Sequence, residues 1–191
     1  MPSTKPVRDL QAHKPSLPPH HAKLVEKVGT RAANLFETKQ LLCAEAILRA
    51  VAEVFGGPLT PEQAAQIGTP FCMGIGGAGC TCGALSGAVA SVGIYLGRKE
   101  GGNGAPCREY GKQMHDAFKS NHKSTCCRIL TRNLDAKTHF AQCLALTEEG
   151  ARMATEMLLE HEVQPLDTNY LPSKPDTRWT AITRNMTSLF K

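Results

Sequence analysis

Between residues 82 and 97 the chain reads Cys-Gly-Ala-Leu-Ser-Gly-Ala-Val-Ala-Ser-Val-Gly-Ile-Tyr-Leu-Gly, without one charged side chain. Gly83, Gly87 and Ser91 recur every four residues, and Ala84, Ala88 and Val92 form the adjoining strip. On a helix, residues four apart stack on one face, so this stripe of small side chains lets another backbone come close. A helix with no polar side has to be surrounded, and the segment is expected as a buried central helix. It is too short and too rich in glycine for a membrane span, which takes about 20 apolar residues. No run of 18 or more uninterrupted apolar residues occurs elsewhere, and the opening residues lack the basic, then apolar, then small-residue order of a secretory leader. The expectation is a soluble, cytoplasmic protein with no membrane span.

The 191 residues are enough for about one domain. Residues 1–22 carry five prolines with His13, His20 and His21 and little apolar periodicity, which predicts a flexible basic arm. Helical spacing of Leu42, Ala46, Ile47, Ala50, Val51 and Val54 predicts a helix over 30–55, stopped by Gly56-Gly57-Pro58. Thr60-Pro61-Glu62-Gln63 reads as an N-cap, a first-turn proline and a capping-box glutamine, opening a helix that ends near Gly68. Six glycines then crowd residues 68–83, predicting a loop at the start of the central helix. Further helices are expected over about 106–119 and from an Asp135 cap to about 160, with Thr125 capping a short turn between them. No β-branched run with a period of two appears. The fold expected is all-α: a compact, cysteine-rich helical domain over 23–162, followed over 163–191 by a proline-containing linker and an amphipathic helix presenting Trp179, Ile182, Met186 and Leu189.

The net charge of +5 sits in the ends. Residues 1–32 hold six bases and two acids, residues 163–191 hold four and two, and the body between is close to neutral. No basic stripe repeats along a helix and aromatics are only 5%, so neither a phosphate track nor a stacking platform is present, and nucleic acid is not expected as a partner.

The eight cysteines carry the chemistry. Disulfides seldom persist in a reducing cytosol, so thiols at this density point to metal or redox work. None forms a C-x-x-C pair, which argues against zinc ribbons, thioredoxin-type motifs and covalent haem. Cys43, Cys72, Cys80, Cys82, Cys107, Cys126, Cys127 and Cys143 are scattered, so a shared site has to be assembled between helices by folding. A soft thiolate cage suits iron–sulfur clusters, zinc or Cu(I). Cys82 stands where the glycine-rich loop enters a helix, and there unpaired amides and the helix dipole favour thiolate. The alternative at each cysteine is a small buried hydrophobe.

These residues resemble a known family, the redox proteins named C_GCAxxG_C_C for four cysteines and a Cys-Gly-Ala-x-x-Gly motif. The matching residues are Cys82-Gly83-Ala84-Leu85-Ser86-Gly87 behind Gly74-Ile75-Gly76-Gly77-Ala78-Gly79. Leu42-Cys43-Ala44-Glu45 looks like the family's first cysteine, Cys127 followed by Arg128 like its third, and Phe140-Ala141-Gln142-Cys143 like its fourth. The resemblance spans about residues 30–160 and implies a helical redox domain. It is also similar to the N-terminal part of split-Soret cytochromes c, a dimer associated with an iron–sulfur cluster, which implies a homodimer here. The chain has no C-x-x-C-H, so the haem half of that likeness is not expected.

The function expected is therefore an iron–sulfur redox or electron-transfer protein. Cys43, Cys82, Cys127 and Cys143 would be the metal ligands, with Cys80 and Cys126 as candidate extra donors. The cluster would be 2Fe-2S or 4Fe-4S, or larger, or more than one, and a redox protein would be the partner. Two other classes stay open: a thiol–disulfide redox enzyme working through Cys80 and Cys82 or through Cys126 and Cys127, and a structural or sequestering metal protein. Electron carriage is favoured over substrate turnover. His139, one turn before Cys143, and Arg128 are candidate neighbours of an anionic centre. The literal G-x-G-x-x-G of residues 74–79 follows no strand, so nucleotide binding is not expected.

Overall fold

The structure, a computed structural model, describes residues 17–166. The segment carrying Trp179, Ile182, Met186 and Leu189 lies outside the described residues, as does the arm before residue 17. Eight helical segments follow in order: α1 (Pro19–Glu37), α2 (Cys43–Phe55), α3 (Pro61–Gly68), α4 (Cys72–Ile75), α5 (Gly83–Leu96), α6 (Ala105–His122), α7 (Cys127–Leu130) and α8 (Ala136–Glu160). A 3-10 turn, Thr69–Phe71, leads into α4. Among the described residues there is no strand, only one isolated antiparallel bridge between Thr81 and Cys126. The all-α expectation holds.

Two boundaries differ from the sequence reading. The periodicity over 30–55 belongs to two helices, because Lys39 adopts a positive φ of 57° and the backbone of Leu42 is extended. The Leu42 amide donates to Glu45 Oε2 at 2.8 Å and thereby starts α2 afresh. At the other end, α1 begins at Pro19, so His20 and His21 form its first turn rather than part of an irregular arm. Proline suits that first position because its missing N–H would have had no helical partner. Other caps are as expected: Thr60 and Gln63 exchange side-chain-to-backbone bonds at 3.2 and 2.9 Å, and Asp135 accepts from the amides of Lys137 and Thr138. At the short turn Thr125 is not the cap: the N-cap of α7 is Cys126, without a side-chain cap, and Ser124 accepts from the Cys126 amide at 3.0 Å.

Helix α2 lies at the centre, against α1, α3, α5 and α8. Ile47, Val51 and Val54 on α2, Leu85 and Val92 on α5, and Leu158 on α8 are buried in one cluster with Phe118 of α6. At roughly 1.5–3 kcal/mol for each large apolar side chain taken out of water, this cluster is the main source of stability. The small-residue stripe of α5 faces α2, and a Cβ on Gly87 would stand 2.8 Å from the Cα of Ala44. Only glycine permits that approach. A bidentate pair from Arg31 to Glu53, at 2.7 and 2.9 Å, ties α1 to α2. Burial pushes the Glu53 carboxyl up, and bonds from Arg31 and Arg49 more than offset this and hold it below its ordinary value.

Helices α2 and α5 run the same way. Their first turns touch at Cys43 and Gly83, and their last turns meet where Tyr95 packs on Phe55 and donates to the Gly56 carbonyl at 2.6 Å. Both amino-terminal ends therefore open onto the same place.

Candidate functional site

That place is a cavity of about 490 Å³ with mostly apolar walls. Cys43 enters it as the first residue of α2, Cys82 as the N-cap of α5, Cys127 as the first residue of α7 and Cys143 from the third turn of α8. All four cysteines singled out as ligands from the sequence thus line one cavity, although a hundred residues separate the first from the last. On α8 the lining residues Ala136, His139, Phe140 and Cys143 recur at helical spacing and form one face.

Backbone pairing between two loops brings Cys82 and Cys127 together. The Cys82 amide donates to Thr125 O at 2.8 Å, and the amides of Cys127 and Arg128 donate to the carbonyls of Cys80 and Gly79. Gly74 is held under this pairing, where a Cβ would stand 2.7 Å from the Cβ of Cys127. Gly83 serves the other side, since a Cβ there would lie 2.5 Å from Cys43 Sγ. The motif glycine after Cys82 thus makes room for the sulfur of Cys43.

Four consecutive residues of the glycine-rich run, Met73 to Gly76, have φ values of 55°, 71°, 64° and 59°. They form a left-handed turn, free for the glycines and costing roughly 1–2 kcal/mol at each of Met73 and Ile75. The turn aims the Met73 amide at the sulfur of Cys43, which accepts its hydrogen bond. Strain of this kind persists only where the surroundings enforce it, and it often sits at functional sites.

Cys80 and Cys126, expected as extra donors, are not in the cavity wall. Cys80 is exposed, and the Cys126 thiol donates to the Gly79 carbonyl at 3.1 Å. The backbone pairing that turns Cys82 and Cys127 inward leaves these neighbours outside. Cys107 sits in the first turn of α6, also off the cavity. Arg128 lines the cavity and donates from Nη2 to Ala78 O at 2.9 Å, and His139 lines it from α8. The apolar wall escaped the sequence reading: Phe36 stacks on Phe140 with centroids 5.3 Å apart, and Leu42 and Met73 stand at the rim. No local signal marked them.

A further thiol does touch the set. Cys72, 3% exposed, hydrogen-bonds to Cys43 and accepts from the amides of Ala44 and Glu45 at the start of α2. The hydrogen bond from Cys43, together with those amides, brings the Cys72 thiol down to about 7, and the same bond with burial holds Cys43 far above its ordinary value. The remaining cavity thiols are raised by burial: Cys82 despite amide bonds from Ala84 and Leu85, Cys127 with a contribution from Cys126, and Cys143 to about 11 with contributions from Cys127 and Cys82. At Cys82 the amide bonds expected from its helix-start position are present, and burial outweighs them. Protons therefore stay on these sulfurs near neutral pH.

The model of the family described as "Putative redox-active protein (C_GCAxxG_C_C)" matches residues 41–157, from just before Cys43 to late in α8. The chain belongs to this family. In the C_GCAxxG_C_C protein described here, the Cys-Gly-Ala-x-x-Gly motif accounts for the N-cap sulfur of α5, the space beside Cys43 and, through Gly87, the contact with α2. No curated protein and no solved structure matches the chain. No helix among the described residues is long and apolar enough to cross a membrane.

Proposed function

We propose that the protein is an iron–sulfur redox protein that carries electrons, with Cys43, Cys82, Cys127 and Cys143 as ligands of one cluster. The observation that carries this reading is the convergence of four thiols, one from each of four helices, on a single cavity into which α2 and α5 direct their amino-terminal ends. Four thiolates are the usual ligand set of both 2Fe-2S and 4Fe-4S clusters. A thiolate-ligated cluster is anionic, and helix amino-termini favour negative charge nearby. The amides of Ala84 and Leu85 on Cys82, that of Met73 on Cys43, and the Arg128 guanidinium at the wall supply donors and positive charge to the same region. Hydrogen bonds to cluster sulfurs and low solvent access are the levers by which a protein sets reduction potential.

Among the described residues, no three His, Cys, Asp or Glu side chains stand close enough to hold a lone metal ion. Sulfurs spread around a cavity suit an inorganic group several atoms across better than a single tetrahedral zinc. When bound, such a group would accept and release single electrons. The chain's own contribution would be to orient the four sulfurs, give up their protons, and exclude water with Phe36, Phe140 and Leu146. A redox partner would meet the cavity at its rim, where Leu42 and Met73 are 45% and 63% exposed.

Full-length protein made in iron-replete cells and purified without oxygen should be brown and contain iron and acid-labile sulfide. The C82S/C127S double variant should lose both while keeping its helical circular dichroism. Wild-type protein that is folded, colourless and free of iron after reconstitution with ferrous iron and sulfide would overturn the proposal, and zinc in its place would favour sequestration.

A further inference from the structure

The cavity reaches well past its sulfurs. On α8 its wall runs from Ala136 through His139, Phe140 and Cys143 to Leu146. At 1.5 Å per residue, Ala136 stands about 10 Å beyond Cys143 along the helix. Counted at a water's share of about 30 Å³ per atom, the eight atoms of a 4Fe-4S core take only about half of the 490 Å³. The outer half has a chemistry of its own. Phe36 and Phe140, both half-buried, are stacked with centroids 5.3 Å apart and line it with ring surface. Arg128 is exposed at the cavity mouth and is held in place there: its Nη2 donates to Ala78 O at 2.9 Å, and its Nε packs 3.0 Å from where a Cβ on Gly79 would stand. A guanidinium carries five N–H groups and no acceptor. Among the described residues no carboxylate pairs with this one, and no Asp or Glu lines the cavity. The side chains of the outer wall thus present aromatic surface and spare donors, and no anionic acceptor.

We propose that the outer half of the cavity binds a small uncharged aromatic ring bearing carbonyl oxygens, a quinone. Its ring lies against Phe36 and Phe140, and one carbonyl oxygen accepts from Arg128. Rings gain from offset stacking on other rings beyond the area they bury, and mostly apolar cavities of about 300–1,000 Å³ with a few placed polar groups are the usual form of small-molecule sites. An aromatic carboxylate would also accept from Arg128, but it would stand beside an anionic cluster, and like charges repel strongly where water is excluded. In that one respect, the lack of charge on the ligand, the inference rests on the iron–sulfur reading. The place of Arg128 and of the two phenylalanines does not depend on it.

Duroquinone is the probe, because its four methyl groups leave no ring position open to thiols. Titrated without oxygen into the full chain, oxidised and iron-loaded or metal-free, it should bind saturably with a dissociation constant of about 0.1 mM. R128M should weaken binding about tenfold, through loss of a charge-assisted hydrogen bond, and F140A several-fold. In metal-free wild type, duroquinone should slow alkylation of Cys143 by N-ethylmaleimide several-fold and leave exposed Cys80 unaffected, read by peptide mapping. Failure to saturate, equal affinity in R128M, equal protection of Cys80 and Cys143, or tighter binding of benzoate to iron-loaded protein would each overturn the proposal. If R128M does not fold, the alkylation map and the benzoate comparison on wild type still decide. Iron and sulfide contents of the same samples report separately: iron-loaded protein that ignores duroquinone defeats this inference alone, and iron-free protein that binds it through Arg128 defeats the iron–sulfur reading alone.

Discussion

The parallel pair α2 and α5 has two ends built on different physics. At their carboxyl-terminal ends, Tyr95 lies against Phe55, its hydroxyl is bonded to Gly56 O, and the Leu166 amide donates to Val54 O at 2.7 Å. The Gly56 and Val54 carbonyls are thus both satisfied, beside the packed rings of Phe55 and Tyr95. At the amino-terminal ends the same helices present sulfurs to a cavity, two non-glycine residues sit in left-handed backbone, and thiols hold protons against their ordinary acidity. One end of the pair is arranged for stability, and the other holds strained backbone and thiols that burial keeps protonated. The same helix direction accounts for both, because it gathers amide donors at one end and leaves carbonyls to be satisfied at the other.

The largest expected effect comes from pH in metal-free protein. A thiol whose folded-state pKa is raised contributes in full below its unfolded value of 9.0, and the contribution disappears as pH rises toward the folded value. For Cys143, raised to about 11, the loss across that window is about 2 kcal/mol, and Cys82 and Cys127 shift the same way. Tyr95, raised by burial to about 12, adds a loss that begins only above 10. Urea unfolding at pH 8 and pH 10.5 should therefore show a steep fall in stability for wild type and a shallower one for C143S. Equal falls in both would mean that the cavity thiols are solvated and that the contrast between the ends is not electrostatic.

Gly83→Ala probes the same end sterically. The added methyl would meet Cys43 Sγ at 2.5 Å, with Phe71 O at 3.0 Å, so a shift is unavoidable. Overpacking of this order costs about 2 kcal/mol, and the displaced sulfur should also lower the iron content of reconstituted protein. Unchanged iron loading with reduced stability would separate the glycine's packing role from any role in the site.

How much of this was legible beforehand follows from sequence distance. The small-residue stripe announced that another backbone would come close to α5, though not that it would be α2, because its period is local, and the caps at Thr60 and Asp135 were visible for the same reason. The four cavity cysteines were found through the Cys-Gly-Ala-x-x-Gly pattern and its companion anchors. What did not show was anything created by pairing across long separations. The bridge between Thr81 and Cys126 decides that Cys82 and Cys127 face inward while Cys80 and Cys126 do not. Periodicity carries no trace of it. The break at Lys39 was hidden because apolar spacing continued across it, and the bond from the Met73 amide to Cys43 depends on a left-handed turn that a glycine-rich run permits without specifying.

At the opposite end, Tyr95→Phe removes one hydrogen bond and leaves the ring in place. The Gly56 carbonyl loses its 2.6 Å partner but can turn to water, so a loss of about 1 kcal/mol is expected with no change in iron content. An effect on iron loading would show that the two ends are coupled along the helices.

The smallest effect should come from Ile75→Gly. Ile75 holds φ at 64° although it is β-branched, and at 43% exposure its side chain has limited burial to lose. Glycine removes a left-handed penalty of roughly 1–2 kcal/mol, while its greater freedom in the unfolded chain takes back about 0.4–1 kcal/mol. The balance is a gain of about 0.5 kcal/mol, measurable as a raised urea midpoint at an unchanged slope. If stability falls instead, the turn is held by contacts of the isoleucine side chain and the strain at the cavity end is smaller than its dihedral angles imply. If stability rises and cluster loading slows, the strained turn is what keeps the Met73 amide directed at Cys43, and the fold has given up stability there to hold that sulfur in position.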